Sequence, residues 1–401
     1  MAILILTLPP HIPGGVATKA KILADYLRNK GQDVTIAFYA ARGKYPELNV
    51  SLSHFFTSQQ PKALKLKEFG DHNCVVVGCR FSEIESSYTE TSHIWVELIE
   101  AHDHHIAVGG TVLVANPFVA AGVKHLVWCA SDVEGDRSAR LSAMGSVRKM
   151  LDRFFITPKL EAQEQRVLSS SHNKILGVSP FSVASLKIAR PNAIAKMDVL
   201  PIPTDMDFFS PVVGDTSKLE KPIIGFAGRL EDPRKNPNLL FQSFSDIRKL
   251  GVNASLHVTG SSTPKLLALA EAHGISKHIQ FLGRLSQEKL KGFYQSLALF
   301  LIPSEQEGLA IVGIEAMACG VPVISTKCGG PEVYIQHGFN GYLCEFDAFE
   351  IAKRVSELLE NGEQYLKFSK AARTRVLEDY AQDAFESNFS KQWFSLWGVK
   401  M

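Results

Sequence analysis

Short apolar runs alternate with longer stretches of helical spacing along nearly the whole chain, which predicts a mostly parallel α/β architecture. In the first half, residues 2–8, 33–39, 74–78, 111–115, 125–129 and 175–178 have the length and apolarity of buried strands. Between the first two, Ala20, Leu23, Ala24 and Leu27 recur at helical spacing, which predicts a helix over 18–29 closed by Gly31. Residues 223–227, 255–259, 279–282, 297–302, 321–325 and 341–344 continue the strand pattern, with helices over 237–250 and 287–296 between them. The opening run 2–8 lacks a basic flank and is stopped by Pro9-Pro10, so it reads as a strand rather than a signal peptide.

The pattern breaks near Pro201 and Pro203, and Pro211, Gly214, Ser217 and Pro222 follow. A linker over 203–221 therefore divides a first domain, 1–202, from a second, 203–382. The tail is predicted to be a helix within 383–401, and Phe385, Phe389, Trp393, Phe394 and Trp397 give it a face that needs a surface, for which the first domain is the candidate.

Composition narrows the class. With 401 residues, 45% of them hydrophobic and 21% charged, the chain has the profile of a globular protein of two domains. A net charge of +2 gives no argument for nucleic acid. The six cysteines lie in or beside apolar segments without a paired CxxC, as expected of reduced thiols in a cytoplasmic protein.

Three segments carry candidate chemistry. His11 to Val16 holds Gly14-Gly15 directly after the first strand, where a glycine lets backbone approach an anion; a plain tight turn explains it equally well. Gly228-Arg229 ends a strand, and Lys235 follows just before a helix. Such a pair suits a diphosphate, with salt bridging to Glu231 and Asp232 as the alternative. The third segment, Ser304 to Glu332, is the most informative. Glu307 precedes a helix, Glu315 lies inside it, and Gly329-Gly330-Pro331-Glu332 follows the next strand. Carboxylates at such a place are suited to sugar or ribose hydroxyls, so the ligand expected is a nucleotide sugar.

Other clusters are weaker. His102-Asp103-His104-His105 has the density of a metal site, but adjacent side chains diverge, and a solvated loop or helix face is favoured. Lys62, Lys65 and Lys67 could meet acidic lipid or an acceptor at the inner face of a membrane, although an ordinary exposed helix face is favoured. No P-loop, G-x-S-x-G or paired metal-ligand motif is present.

Taken together, the order Gly-Arg-Leu…Lys-Asn, Phe-Leu-Gly at 281–283, Pro-Ser-x-x-Glu-Gly, Glu-Ala-Met-Ala-x-Gly-x-Pro-Val-Ile and Gly-Gly-x-x-Glu resembles the retaining glycosyltransferases of family 4. The match is clearest over 223–358. The resemblance implies the GT-B fold, an α/β arrangement of two facing Rossmann-like domains with parallel sheets and a cleft between them. It implies an acceptor-side first domain, a nucleotide-sugar-binding second domain, and transfer of a hexose from a nucleotide-diphosphate sugar with retention at the anomeric carbon. By the same resemblance Arg229 and Lys235 would hold the diphosphate, Glu315 the ribose and Glu307 the sugar hydroxyls. Backbone of Gly308, Leu309, Ala310 and Ile311 would meet sugar and phosphate. Gly283, Arg284 and Leu285 would lie by the base, Gly228 beside the phosphates, and Gly14 and Gly15 would approach them on domain closure. Neither metal nor cofactor is expected, and the acceptor would be a glycan, a lipid or a small molecule.

Two departures stand out. The family's Glu-Gly-Phe-Gly reads here Glu307-Gly308-Leu309-Ala310. Where many members carry a histidine after a first-domain strand, this chain has Trp128-Cys129-Ala130-Ser131-Asp132, leaving Ser131, Asp132, His102 or His125 as substitutes. The alternatives are a binding or scaffolding protein that retains the donor site without turnover, and an epimerase, which would need a second carboxylate across the cleft. A nicotinamide oxidoreductase is disfavoured by the missing GxGxxG.

Overall fold

A computed structural model describes residues 1–12, 15–142, 144–212 and 217–401. They separate into two compact units, 1–200 with 386–401, and 201–385.

The first unit is built on an eight-stranded sheet of β1 (Ala2–Thr7), β2 (Asp33–Tyr39), β3 (Ala63–Glu68), β4 (His72–Val77), β5 (His104–Val108), β6 (His125–Cys129), β7 (Asn173–Gly177) and β8 (Lys196–Val199). Its order is β3-β4-β2-β1-β5-β6-β7-β8, and only the β3–β4 pair is antiparallel. Central strands buried on both faces must be apolar throughout, which is why Ile3 to Leu6 and Ile106 to Val108 are almost fully enclosed.

Two strands depart from the sequence expectation. Residues 111–115 form no strand; Val112–Ala115 is a single 3₁₀ turn capped by Thr111, and the strand is His104–Val108. A buried apolar turn and a short buried strand have the same composition. The lysine-bearing stretch is not a helix face either: Ala63–Glu68 is an edge strand with its side chains largely exposed, and charges on an edge discourage pairing with other chains.

The C-terminal helix Gln382–Trp397 enters the first unit from Glu386 onward. Phe389 packs edge-on to Tyr26 at 5.7 Å, and Trp393 stacks on His104 at 4.7 Å. The Asn388 amide donates to the Val199 carbonyl at 3.1 Å, so aromatic burial and a hydrogen bond together seat the tail.

The second unit holds a six-stranded, fully parallel sheet: β9 (Ile223–Phe226), β10 (Ser255–Val258), β11 (Ile279–Phe281), β12 (Leu299–Ile302), β13 (Val323–Thr326) and β14 (Gly341–Cys344). The order β11-β10-β9-β12-β13-β14 runs outward in both directions from β9. Helix Pro237–Lys249 buries Leu239, Leu240, Phe241, Phe244 and Ile247 against one face. Each such side chain contributes roughly 1.5–3 kcal/mol on burial, so β9 and its loop rest on a rigid base. The order in which strands are added reverses between β9 and β12, the switch point at whose carboxyl ends an open parallel sheet has its crevice.

No helix is long and apolar enough to cross a membrane among the described residues. All six cysteines are buried and free, and burial pushes those at 79, 129, 319, 328 and 344 up to about 12, away from thiolate chemistry.

Candidate functional site

The loops leaving β9, β10 and β11 meet backbone to backbone through three glycines. Gly228 (φ 148°) donates its N–H to Thr259 Oγ1 at 3.0 Å, and Gly260 (φ 98°) donates to the carbonyl of Gly283 (φ 68°) at 2.8 Å. A Cβ on Gly260 would stand 2.8 Å from the Gly228 carbonyl oxygen, so no side chain fits there. Gly260 escaped the sequence reading, although Val258-Thr259-Gly260 at a strand end was its signal. Arg284 is exposed and Leu285 half-buried just beyond.

The cations after β9 behave differently from one another. Asp232 caps the 3₁₀ turn Pro233–Lys235 and accepts from Arg234 Nε at 3.1 Å and Nη2 at 2.8 Å. Burial would raise the Asp232 carboxyl, but Arg234 holds it below its ordinary value. Arg229 stands 3.6 Å from the same carboxylate and its side chain is 55% exposed, so the Asp232 pairing, the alternative to a diphosphate contact, holds it only loosely. Lys235 does what the sequence did not foresee: its Nζ lies 2.6 Å from Glu307 Oε1, across from β9 to the segment after β12.

Glu307 sits in a backbone clasp. Its N–H donates to the Cys328 carbonyl at 2.8 Å, and its own carbonyl accepts from Gly330 at 2.7 Å. Gly330 is required by contact, since a Cβ would fall 2.5 Å from Leu309 Cα. The Gly329 N–H (φ 102°) donates to Glu332 Oε1 at 2.8 Å, which explains the second Gly-Gly-x-x-Glu glutamate as a structural clamp. Buried Ser304 donates its hydroxyl to Glu307 Oε1 at 2.6 Å, so one carboxylate oxygen receives both the ammonium and the hydroxyl.

Ala310 precedes helix Ile311–Ala318 in the left-handed region, φ 57° and ψ 63°, with no side-chain cap. Its carbonyl accepts from Tyr334 OH at 3.1 Å. That backbone region costs a residue with a Cβ roughly 1–2 kcal/mol, and a glycine gives back roughly half of this in the unfolded chain. Ala310→Gly is therefore expected to stabilise the protein by about 0.5–1 kcal/mol, read as a rise in urea midpoint at unchanged slope.

Glu315 lies in the same helix, and its Oε2 accepts from the buried Tyr294 hydroxyl at 2.7 Å. Its other oxygen makes no hydrogen bond among the described residues. Burial pushes the Glu315 carboxyl up to about 7, outweighing the Tyr294 bond. Glu307 and Glu315, though on one segment, thus differ: one is an ion-paired carboxylate, the other an acid poised near neutrality.

In the first unit, Gly14 lies outside the described residues and Gly15 opens helix Gly15–Asn29. Buried Lys19 in that helix donates to the carbonyls of Gly109 and Trp128, each at 2.9 Å, tying the helix to the carboxyl ends of β5 and β6. Burial lowers its ammonium to about 7. Of the candidates for the absent histidine, His102 and His125 are at the amino ends of β5 and β6, the opposite edge from that loop. Asp132 is buried and spent on the Gly135 N–H at 2.7 Å and the Ser185 hydroxyl, while Ser131 is half-buried. The His102–His105 run disperses: His102 bonds the Leu98 carbonyl, His104 stacks on Trp393 and His105 bonds the Ile99 carbonyl. No group of three or more metal-ligating side chains converges among the described residues.

Comparison with known proteins bears on the family and the fold. Residues 214–375 match the family described as Glycosyl transferases group 1. The D-inositol 3-phosphate glycosyltransferase of Mycolicibacterium smegmatis is 28% identical over 292 residues, covering 70% of this chain and 62% of that protein. The chain thus spans about three fifths of the length of that curated relative. Among solved structures, a sucrose-phosphate synthase from Thermosynechococcus elongatus superposes with TM-score 0.72 at 17% identity over 99% of both chains. HepE of Anabaena, solved in complex with UDP-glucose, gives 0.70 at 15% identity over 99% of this chain and 100% of that one. At such identities these superpositions establish the fold.

Proposed function

We propose, from the match of residues 214–375 to the group 1 glycosyl transferases and from the GT-B fold, that the chain transfers a sugar from a nucleotide-diphosphate sugar to an acceptor hydroxyl with retention. The observation that carries the reading is the Lys235–Glu307 contact of 2.6 Å at the switch between β9 and β12, beside the exposed Arg229. Arg229 and Lys235 supply positive charge where a diphosphate leaving group develops negative charge. Arrival of the diphosphate exchanges Lys235 from Glu307 to phosphate oxygens, which releases Glu307 to accept from sugar hydroxyls. Glu315 takes the ribose hydroxyls on its unoccupied oxygen. The glycine junction of residues 228, 260 and 283 keeps backbone clear for the nucleotide, and the first amides of helix Ile311–Ala318 face the sugar and phosphate.

On this reading the acceptor hydroxyl attacks from the face the leaving group vacates, and its proton passes to the departing phosphate. Arg229 and Lys235 do the electrostatic work without a metal. The acceptor, a glycan, a lipid or a small molecule, is held by the first unit, where half-buried Ser131, and not the spent Asp132, takes the place of the absent histidine. UDP-glucose is the first donor to try, because the Anabaena protein was solved with it.

The test is a panel of UDP-, GDP- and ADP-sugars with simple glycan and polyol acceptors, following release of nucleotide diphosphate. Release with at least one donor, unaffected by EDTA and giving a product of unchanged anomeric configuration by NMR, is the expected result. Tight donor binding without release across the panel would favour the binding-protein alternative and refute transfer.

A further inference from the structure

Helix Ser146–Leu151 and the π-helical stretch Asp152–Ile156 after it are built inside out. Val147, Met150, Leu151, Phe154 and Phe155 recur at the spacing of one helical face, the pattern that ordinarily turns toward a core. Here that face is turned to solvent: these side chains are 70%, 54%, 48%, 67% and 71% exposed. The polar residue is the one inside. Asp152 is buried, accepting from Arg137 and from Thr157 Oγ1 at 2.8 Å, and Arg137 also reaches Glu85 at 2.7 Å. An ionic anchor therefore holds the helix with its apolar stripe outward, where hydrophobic burial alone would roll it inward.

The charges beside the stripe are all of one sign. Arg148, Lys149 and Arg153 are exposed, and the sole acid of the segment, Asp152, is consumed by Arg137. A stripe of Phe, Leu and Met flanked by basic residues fits a surface that is apolar beneath and anionic above. A protein partner would offer one of these properties over a small patch; a bilayer of acidic lipid offers both. The connection from β2 to β3 brings Phe55 and Phe56, 55% and 98% exposed, to the same carboxyl edge of the parallel sheet that the segment after β6 leaves. We propose that residues 147–155 dock the first unit on an anionic membrane surface, with the five apolar side chains entering the headgroup boundary and Arg148, Lys149 and Arg153 pairing with lipid phosphates. This moves the membrane contact from the edge-strand lysines 62, 65 and 67 to a different segment.

The experiment is sedimentation of the full chain with vesicles of phosphatidylcholine alone or with about one third phosphatidylglycerol, at low and high salt. The wild-type protein should partition onto the phosphatidylglycerol vesicles and be released as salt screens the charges. Arg148→Gln or Arg153→Gln should weaken partitioning about fivefold each, and Phe154→Ser with Phe155→Ser by about tenfold or more. Circular dichroism and the thermal shift produced by UDP, both unchanged in these variants, show that fold and donor site are intact. Equal sedimentation of wild type and the double serine variant, or equal binding to neutral vesicles, would overturn the proposal. So would a lipid-free dimer at assay concentration that the double serine variant abolishes, because the stripe would then be covered by a second copy.

Discussion

Lys235→Ala is expected to lower kcat with the productive donor by roughly 10²–10³-fold, the loss typical of removing one charge-stabilising donor from a transition state. Two effects add. The leaving diphosphate loses its ammonium, and Glu307, half-enclosed and left with Ser304 as its partner, faces the phosphate as an unscreened negative charge. The second effect also touches stability, since an ion pair whose side chains are only 19% and 12% exposed leaves an uncompensated carboxylate when its cation is removed. A double-mutant cycle separates them. If Lys235→Ala still lowers kcat in the Glu307→Gln background, Lys235 acts on the phosphates; if it costs nothing there, Lys235 only neutralises Glu307. Arg229→Ala should also lower kcat by a similar factor, with little change in melting temperature because Arg229 is loosely held. Full activity in both variants would refute the phosphate assignment.

Glu315 gives the second large effect, through pH. Its carboxyl lies near 7 in the folded protein against about 4.5 unfolded. A raised acid means that the folded state binds the proton more tightly. The proton-linked stability is therefore present in full below about 4.5, and it is lost as pH rises through about 7. The difference amounts to about 3 kcal/mol at alkaline pH, so Glu315→Gln should be more stable than wild type at about pH 8 and nearly equal at about pH 5. Binding should run the other way. Ribose hydroxyls prefer an ionised acceptor, so uridine or UDP affinity should rise about tenfold from about pH 6 to about pH 8. Glu315→Gln should flatten that rise, and Glu315→Ala should weaken nucleotide binding at every pH. Because UDP titrates on its own, the comparison that matters is the slope of wild type against Glu315→Gln. Parallel slopes would show that Glu315 does not touch the nucleoside.

The first-unit loop makes a smaller, structural prediction. Lys19 gains two carbonyl partners on burial but loses its hydration, so Lys19→Met should preserve packing and cost about 1–3 kcal/mol from the lost bond to the buried Gly109 carbonyl, while the Trp128 carbonyl keeps the Gly109 N–H at 3.0 Å. A shift in urea midpoint measures it.

Much of the second unit was legible because its chemistry is local. Arg229, Lys235 and Glu307 each follow a recognisable strand or precede a helix, Glu315 lies within the helix Glu307 precedes, and glycines mark the places where backbone must come close. What could not be read locally was which charges are spent. Arg234 takes Asp232 from two positions away, but Lys235 meets Glu307 only because β12 pairs with β9, 72 positions on. In the first unit the reading was poorer. Residues 111–115 are more apolar than His104–Val108, whose two histidines mask it, and only hydrogen-bonding neighbours β1 and β6 select the second as a strand. Histidines 102 and 125 were candidates for the site until the parallel direction of β5 and β6 put them at the wrong edge.

The sequence by itself determined the α/β class, the succession of strands along the second unit and the candidates for its crevice, because periodicity, glycine and charge act within a few positions of one another. Only the tertiary structure decided the state of those residues: that Glu307 is ion-paired, that Glu315 is held near neutrality, that Ala310 carries backbone strain, and that the apolar stripe of 147–155 faces outward. The reason is physical. Burial and ion pairing depend on which distant groups arrive, and a helical stripe is equally regular whether it is turned toward a core or toward solvent.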